Sequence, residues 1–213
     1  MITAQHLIDA KLSDEATANK VADSLSQACE RFGITEPTQI AMFLAQTAHE
    51  SGKYKSTSEN LNYKVAALTA LFGRHRISEE DCKRFGRIDG VQQANQEAIA
   101  NTIYGGEFGR KNLGNTKEGD GFAFRGAGYI QLTGRSNFLA FSQAIDAPEI
   151  MENPRLVSEP KYAALSAAWF WHKNNLNTIA HDCIACTKKI NGGDIGLADR
   201  EYHFKAALEV MGA

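Results

Sequence analysis

Residues 38–52, TQIAMFLAQTAHESG, decide how the rest of the chain is read. Ile40, Phe43, Leu44 and Thr47 recur at helical spacing and predict one apolar helix face. Thr38 is the expected N-cap. Gly52 is the expected stop, because glycine accepts the left-handed backbone that closes helices. Working outward, the same period governs most of the sequence. Val21, Leu25, Ala28, Cys29 and Phe32 predict a helix from Asn19 to Gly33. Ser158-Glu159-Pro160 opens another, running into YAALSAAWFWHKN (162–174). Leu197, Phe204, Leu208 and Met211 share one stripe of a last helix. The chain reads as mainly α.

Two stretches depart from that pattern. Residues 104–128 hold eight of the chain's 18 glycines, interleaved with Tyr104, Phe108, Phe122 and Phe124. Such density predicts irregular backbone, and a long glycine-rich loop inside a domain is usually functional. Directly after it, Gly128-Tyr-Ile-Gln-Leu-Thr-Gly134 alternates as a short strand would, which predicts a small β element. Residues 61–103 read as an inserted helical lobe: Leu61, Val65, Leu68 and Leu71-Phe72 form one face, Ser78 opens a second helix, and Gln93 to Tyr104 form a third. The expectation is one catalytic domain over 1–213 with this lobe set into it.

Composition narrows the function classes. There are 23 positive and 25 negative residues, a net charge of −2. Nucleic-acid binding draws most of its affinity from a basic excess that is missing here. No apolar run approaches the ~20 residues of a membrane span. The N-terminal MITAQHLIDAKLSDE has no cationic start followed by an apolar stretch, so the expectation is synthesis in the cytoplasm without a signal peptide. Cys183 and Cys186 form a lone CxxC near His181, which without a second pair reads as reduced thiols rather than a zinc site.

The chemistry-bearing residues lie around the end of the helix expected over 38–52. Glu50 falls at its C-terminal end, where the helix dipole is unfavourable to a carboxylate and the flanks are apolar; such a setting suits a proton donor. Glu59 follows nine positions later. On an unbroken helix the two would stand ~13.5 Å apart along the axis. The intervening SGKYKSTS (51–58) reads instead as a turn and a short extended piece. Two carboxyl groups ~6.5–9.5 Å apart leave room for a water, the arrangement of inverting glycosidases. His49-Glu50 is not a zinc-peptidase HExxH motif, because position 53 is Lys53.

The segments FLAQTAHESGKY (43–54), SENLNY (58–63), ANTIYGG (100–106), GDGFAFRGAGYIQLTGRSNF (119–138), INGG (190–193) and GLADR (196–200) together resemble glycoside hydrolase family 19. They are most similar to its bacteriophage and prophage endolysins. The resemblance implies a lysozyme-like, two-lobed helical fold with a small β-hairpin at the cleft, and no metal or organic cofactor. It also implies roles. Glu50 matches the general acid and Glu59 the general base. Thr133 matches a hydroxyl residue that helps hold the attacking water. Gln131, Asn137, Tyr129 and Asn62 match positions or types that line a sugar cleft. Asn191 and Arg200 match polar supports, Arg200 for the carboxylate network.

The implied protein is a monomeric peptidoglycan hydrolase of the lysozyme type. It would be made in a host cytoplasm and act on the wall once the membrane is permeabilised. The alternatives are a chitinase, a lytic transglycosylase, or a wall-glycan binder without activity.

Overall fold

The computed structural model, in which residues 1–212 are described, places the decisive helix at Pro37–Glu50. Its start differs from the expected Thr38 cap. Glu36 is the N-cap, Pro37 occupies the first helical position, and the Gln39 side chain reaches back to accept from the Glu36 N–H at 3.4 Å. Proline is suited there, since its missing N–H would have had no intrahelical partner. The helix also buries more than one face: every residue from Ala41 to Ala48 is buried. Its small alanines let neighbours close on all sides, so the polar Gln46 and Thr47 are inside too.

The chain divides into two compact units. The first comprises residues 1–57, 128–131 and those from 156 onward. Helix Leu197–Met211 lies along Pro37–Glu50, and Pro160–Lys173 lies along Glu15–Arg31. Phe43 packs edge-on to Trp171 with ring centroids 5.5 Å apart. Burial of side chains this size contributes ~1.5–3 kcal/mol each. Glu159 caps the Pro160–Lys173 helix, with proline again at its first turn.

The second unit comprises residues 58–127 and 132–155. The 61–103 segment lies within it as three short helices, Val65–Leu71, Glu79–Phe85 and Gln96–Ile103. Ser78 caps the second as expected, its side chain accepting from the Asp81 N–H at 3.0 Å. Leu61, Leu68, Ile77, Cys82, Ile99 and Ile103 close a small core. Arg76 finishes its margin: Nε and Nη2 donate to the Ile103 carbonyl at 2.9 and 2.7 Å, and the guanidinium covers the Phe108 ring at 4.0 Å.

The glycine-rich stretch is irregular but ordered by short turns. Gly106–Phe108 runs into a π-helical turn, Gly109–Leu113, and Asp120–Ala123 follows. Asp120 anchors the stretch, accepting from the Thr116 and Lys117 N–H groups and from two nitrogens of Arg135. Burial pushes the Asp120 carboxyl up, but the Arg135 hydrogen bond, the Lys117 and Thr116 amides and the Arg135 charge outweigh it. The group is held below the ordinary carboxylate range.

The predicted strand and β-hairpin do not form. Among the described residues, the segment carries only isolated bridges, Ser58 with Ala127 and Ala127 with Leu132. The alternation in GYIQLTG was misleading because Gly128, Gln131 and Gly134 all have positive φ, which breaks extended backbone at three of seven positions. At Gly134 a side chain would also strike Leu113, so the turn into helix Arg135–Ile145 depends on glycine.

Candidate active site

Glu50 ends the Pro37–Glu50 helix in the first unit. The chain then turns abruptly: Gly52, Lys53 and Tyr54 have φ of 56°, 62° and 67°. Two consecutive non-glycine residues in the left-handed region are costly and persist only where surrounding bonds fix them. Here Ser51 Oγ donates to the Thr47 carbonyl at 2.6 Å and accepts from the Tyr54 N–H at 2.9 Å. The Tyr54 hydroxyl is bonded to Thr47 Oγ1 and the Leu44 carbonyl, each at 3.1 Å. The turn expected over 51–58 is therefore present and braced from the helix itself.

The flanks of Glu50 are ionic rather than apolar. Arg200, only 1% exposed, donates Nη2 to Glu50 Oε1, Nη1 to Gln46 Oε1 at 2.5 Å and Nε to the Ile195 carbonyl at 3.2 Å. Gln46 passes the network on, donating to Thr187 Oγ1 at 3.1 Å. Alongside, His49 Nδ1 lies 2.6 Å from Asp199 Oδ2. Consecutive residues of AHES thus meet consecutive residues of LADR. The His49 hydrogen bond holds the Asp199 carboxyl below its usual range. Gly196 (φ 73°) sits against the His49 ring, where any side chain would collide.

Two further residues of this unit each make a side-chain bond to its backbone. Asn191 donates Nδ2 to the Ile195 carbonyl at 3.1 Å and accepts from the Gly193 N–H at 2.8 Å, bracing the INGG loop. Gln131 adopts φ 54° and donates Nε2 to the Gly128 carbonyl at 3.1 Å. Tyr129 is a correction to the sequence reading. It is fully buried, edge-on to Tyr54 with centroids 5.0 Å apart, and offers no open ring face for a sugar to stack on. Cys183 and Cys186 stand one turn apart on helix Cys183–Asn191, both buried.

Glu59 belongs to the second unit and is held in another way. Its N–H donates to the Gly126 carbonyl at 2.8 Å, while its Oε2 accepts from the Gly126 N–H at 3.1 Å. Oε1 accepts from the Tyr104 hydroxyl at 2.7 Å. Burial, then the adjacent Glu59 charge, pushes the Tyr104 phenol up, so it remains a proton-bearing donor. Both carboxylate oxygens are therefore oriented by neutral donors.

Thr133 is half-buried just before the Arg135–Ile145 helix, and its carbonyl accepts from Asn137 Nδ2 at 2.8 Å. Asn62 is exposed on the rim of a cavity of about 430 Å³ that Arg87 and Asp89 also line.

Sequence reasoning missed two partners. Gln46 lies one turn before Glu50 on the same helix face, and a lone amide within a run of buried apolar residues was the available signal. Tyr104 was of a suitable type, but nothing in ANTIYGG tied it to Glu59, 45 positions away. Among the described residues, no group of three or more His, Cys, Asp or Glu is arranged to hold a metal ion. None of their helices is long and apolar enough to cross a membrane.

No protein-family model matches the chain. In structure it is similar to chitinase C from Streptomyces griseus, with a TM-score of 0.57 over 99% of this chain and 76% of that one, at 18% identity. In sequence it is 31% identical over 71 residues to an endochitinase of Arabidopsis thaliana, 33% of this chain and 25% of the plant protein. It is 31% identical over 188 residues, 88% of each chain, to a glycosyl hydrolase family 19 domain-containing protein of Haemophilus influenzae. With that identity sustained over nearly the whole length, the chain belongs to glycosyl hydrolase family 19 and is a glycoside hydrolase.

Proposed function

We propose that the chain cleaves the β-1,4 bonds of bacterial peptidoglycan by single displacement, as an endolysin-type lysozyme. The observation that carries this reading is that both glutamates of the family-like motifs have dedicated partners. Arg200 and Gln46 order the end of the Glu50 helix, and Tyr104 with the Gly126 amide aims Glu59. In the proposed reaction Glu50 protonates the departing glycosidic oxygen. Glu59 takes a proton from a water, which attacks the anomeric carbon from the opposite side. The transition state has oxocarbenium character, and the product has inverted configuration. Thr133 helps position that water, and Gln131, Asn137 and Asn62 contact sugar. The enzyme works as a monomer and reaches the wall after the membrane has been permeabilised by another agent.

A chitinase is the second reading. It is supported by the likeness to chitinase C and by the segment shared with the plant endochitinase. Loss of turbidity of outer-membrane-stripped bacteria, set against sugar release from chitin, separates the two substrates. Mass spectrometry should find reducing N-acetylmuramic acid ends; anhydro ends would mean transglycosylation instead. Glu50→Gln should retain glycan binding and lose cleavage. Lysis at the unaltered rate in that variant refutes the acid assignment.

A further inference from the structure

Within the second unit, the glycine-rich stretch walls a cavity of about 410 Å³, inside the ~300–1,000 Å³ range of ordinary ligand pockets. Gly105, Gly106, Gly119 and Gly121 belong to its lining, so part of the wall is bare backbone. Gly106 and Gly119 have φ of 57° and 84°, and a Cβ on either would meet nothing within 4 Å. Glycine is needed there for the turn, and the space beside it is open. The cavity adjoins the support of Glu59. Asn115, a lining residue, donates Nδ2 to the Tyr104 carbonyl at 2.9 Å, and the Tyr104 hydroxyl donates to Glu59. One tyrosine therefore reaches from the cavity wall to that carboxylate.

The lining carries no aromatic or apolar side chain, so a sugar ring has no face to pack on. What it offers is polar and charged. Asn101 uses Oδ1 for the Phe122 N–H at 2.8 Å and keeps its amide donors, while Thr116 gives its N–H to Asp120 and keeps its hydroxyl. Glu107 is tied to Lys111 at 2.6 Å. Arg110 and Lys117, both exposed on the rim, have no carboxylate partner among the described residues. Against these two free cations stands the exposed carboxylate of Glu118. An uncharged polymer such as chitin has no group for that pair of cations. A peptide with a free carboxylate has one, and its amides also match the bare backbone and the Asn101 and Thr116 groups.

We propose that this cavity binds the stem peptide carried by muramic acid, with Arg110 and Lys117 on a peptide carboxylate. This ligand rests on the peptidoglycan reading above. It supplies what separates that polymer from chitin, since Glu50 and Glu59 would serve either chain. An occupied cavity holds the peptide branch while Glu59 acts on the glycan that bears it.

The test is a titration of the intact, isotope-labelled chain with muramyl dipeptide, read by nuclear magnetic resonance. The amide signals of Gly106, Thr116 and Gly119 should shift and saturate. N-acetylglucosamine, or the dipeptide with its carboxyl group amidated, should leave them in place. The double variant Arg110→Gln/Lys117→Gln should bind about fivefold more weakly, the loss expected for two exposed charge contacts, and Lys117→Arg alone should bind as the parent does. In activity, the parent should have a higher kcat/KM on glycan strands that bear stem peptides than on strands stripped of them. That ratio should fall about fivefold in the double variant.

Absence of shifts at these residues, equal shifts with the amidated dipeptide, or an unaltered ratio in the double variant overturns the proposal. So does inorganic phosphate moving the same signals at equal concentration. Lysis of bacteria by a chain that shows no such shifts would refute this inference alone. Dipeptide shifts in a chain that cleaves chitin but not peptidoglycan would refute the proposed function and leave the binding site standing.

Discussion

Glu50 and Glu59 are the same functional group in opposite company. Glu50, at a helix end, is met by a fully charged guanidinium that is itself buried and shared with Gln46. Glu59, on a loop, is met by a phenol and a backbone amide, both neutral. The first arrangement is part of the packing between two helices, so it ties a catalytic candidate to stability. The second aims the carboxylate through directional bonds whose loss barely disturbs a core. One carboxylate is held by the fold and the other by its local shell, and substitutions should separate the two.

The largest expected effect is on chemistry. Glu59→Gln keeps the shape, its Oε1 still accepting from the Gly126 N–H and its Nε2 donating to the Tyr104 hydroxyl, so cleavage should fall by ~10³-fold, within the range of general base catalysis, with the thermal midpoint nearly unchanged. An unfolded variant would instead mark Glu59 as structural and collapse the contrast with Glu50. Next comes Arg200→Ala, which leaves the Gln46 and Glu50 oxygens without their buried donor. Breaking a buried pair of this kind should lower the unfolding free energy by ~3 kcal/mol, measured by denaturant titration. A cost below ~1 kcal/mol would show that the ion pair is not integral to the helix packing.

Tyr104→Phe should do the reverse. It is expected to reduce kcat/KM about tenfold with only ~1 kcal/mol lost in stability, because it removes one hydrogen bond and keeps the ring. Equal kinetics would break the argument that the phenol aims Glu59. The smallest effect is a change of slope. Asp120, which anchors the glycine-rich stretch of the Glu59 unit, titrates below its ordinary value when folded. The unfolded chain therefore binds the proton first. The contribution of Asp120 is complete above the ordinary carboxylate pKa of ~3.9 and is lost as pH falls through the folded value. Unfolding free energy measured from pH 5 downward should decline less steeply in Asp120→Asn than in the parent.

Much of the Glu50 side was legible along the chain. The period in 38–52 located the helix, Gly52 marked the turn, and the similarity of HES and LADR to family motifs pointed to Glu50 and Arg200. That the helix is buried on every side was not legible, because alanines score as apolar on whichever face they lie. The Glu59 side was harder. Its motif was visible, but its donors come from Tyr104 and Gly126, residues whose types fit many environments. Tyr129 failed for a related reason: an aromatic beside a candidate cleft residue in sequence can point either way, and here it points inward.

The sequence by itself determined the helical class and the helix starts at Ser78 and at Glu159-Pro160, because periodicity and capping are local properties of the chain. Tertiary structure alone decided that AHES would meet LADR 150 residues away, that Gln46 would join them, and that GYIQLTG would turn rather than extend. Those outcomes depend on which side chains fill the space around a residue, and backbone angles such as those at Gly128, Gln131 and Gly134 are set by that packing rather than by the alternation of residue types.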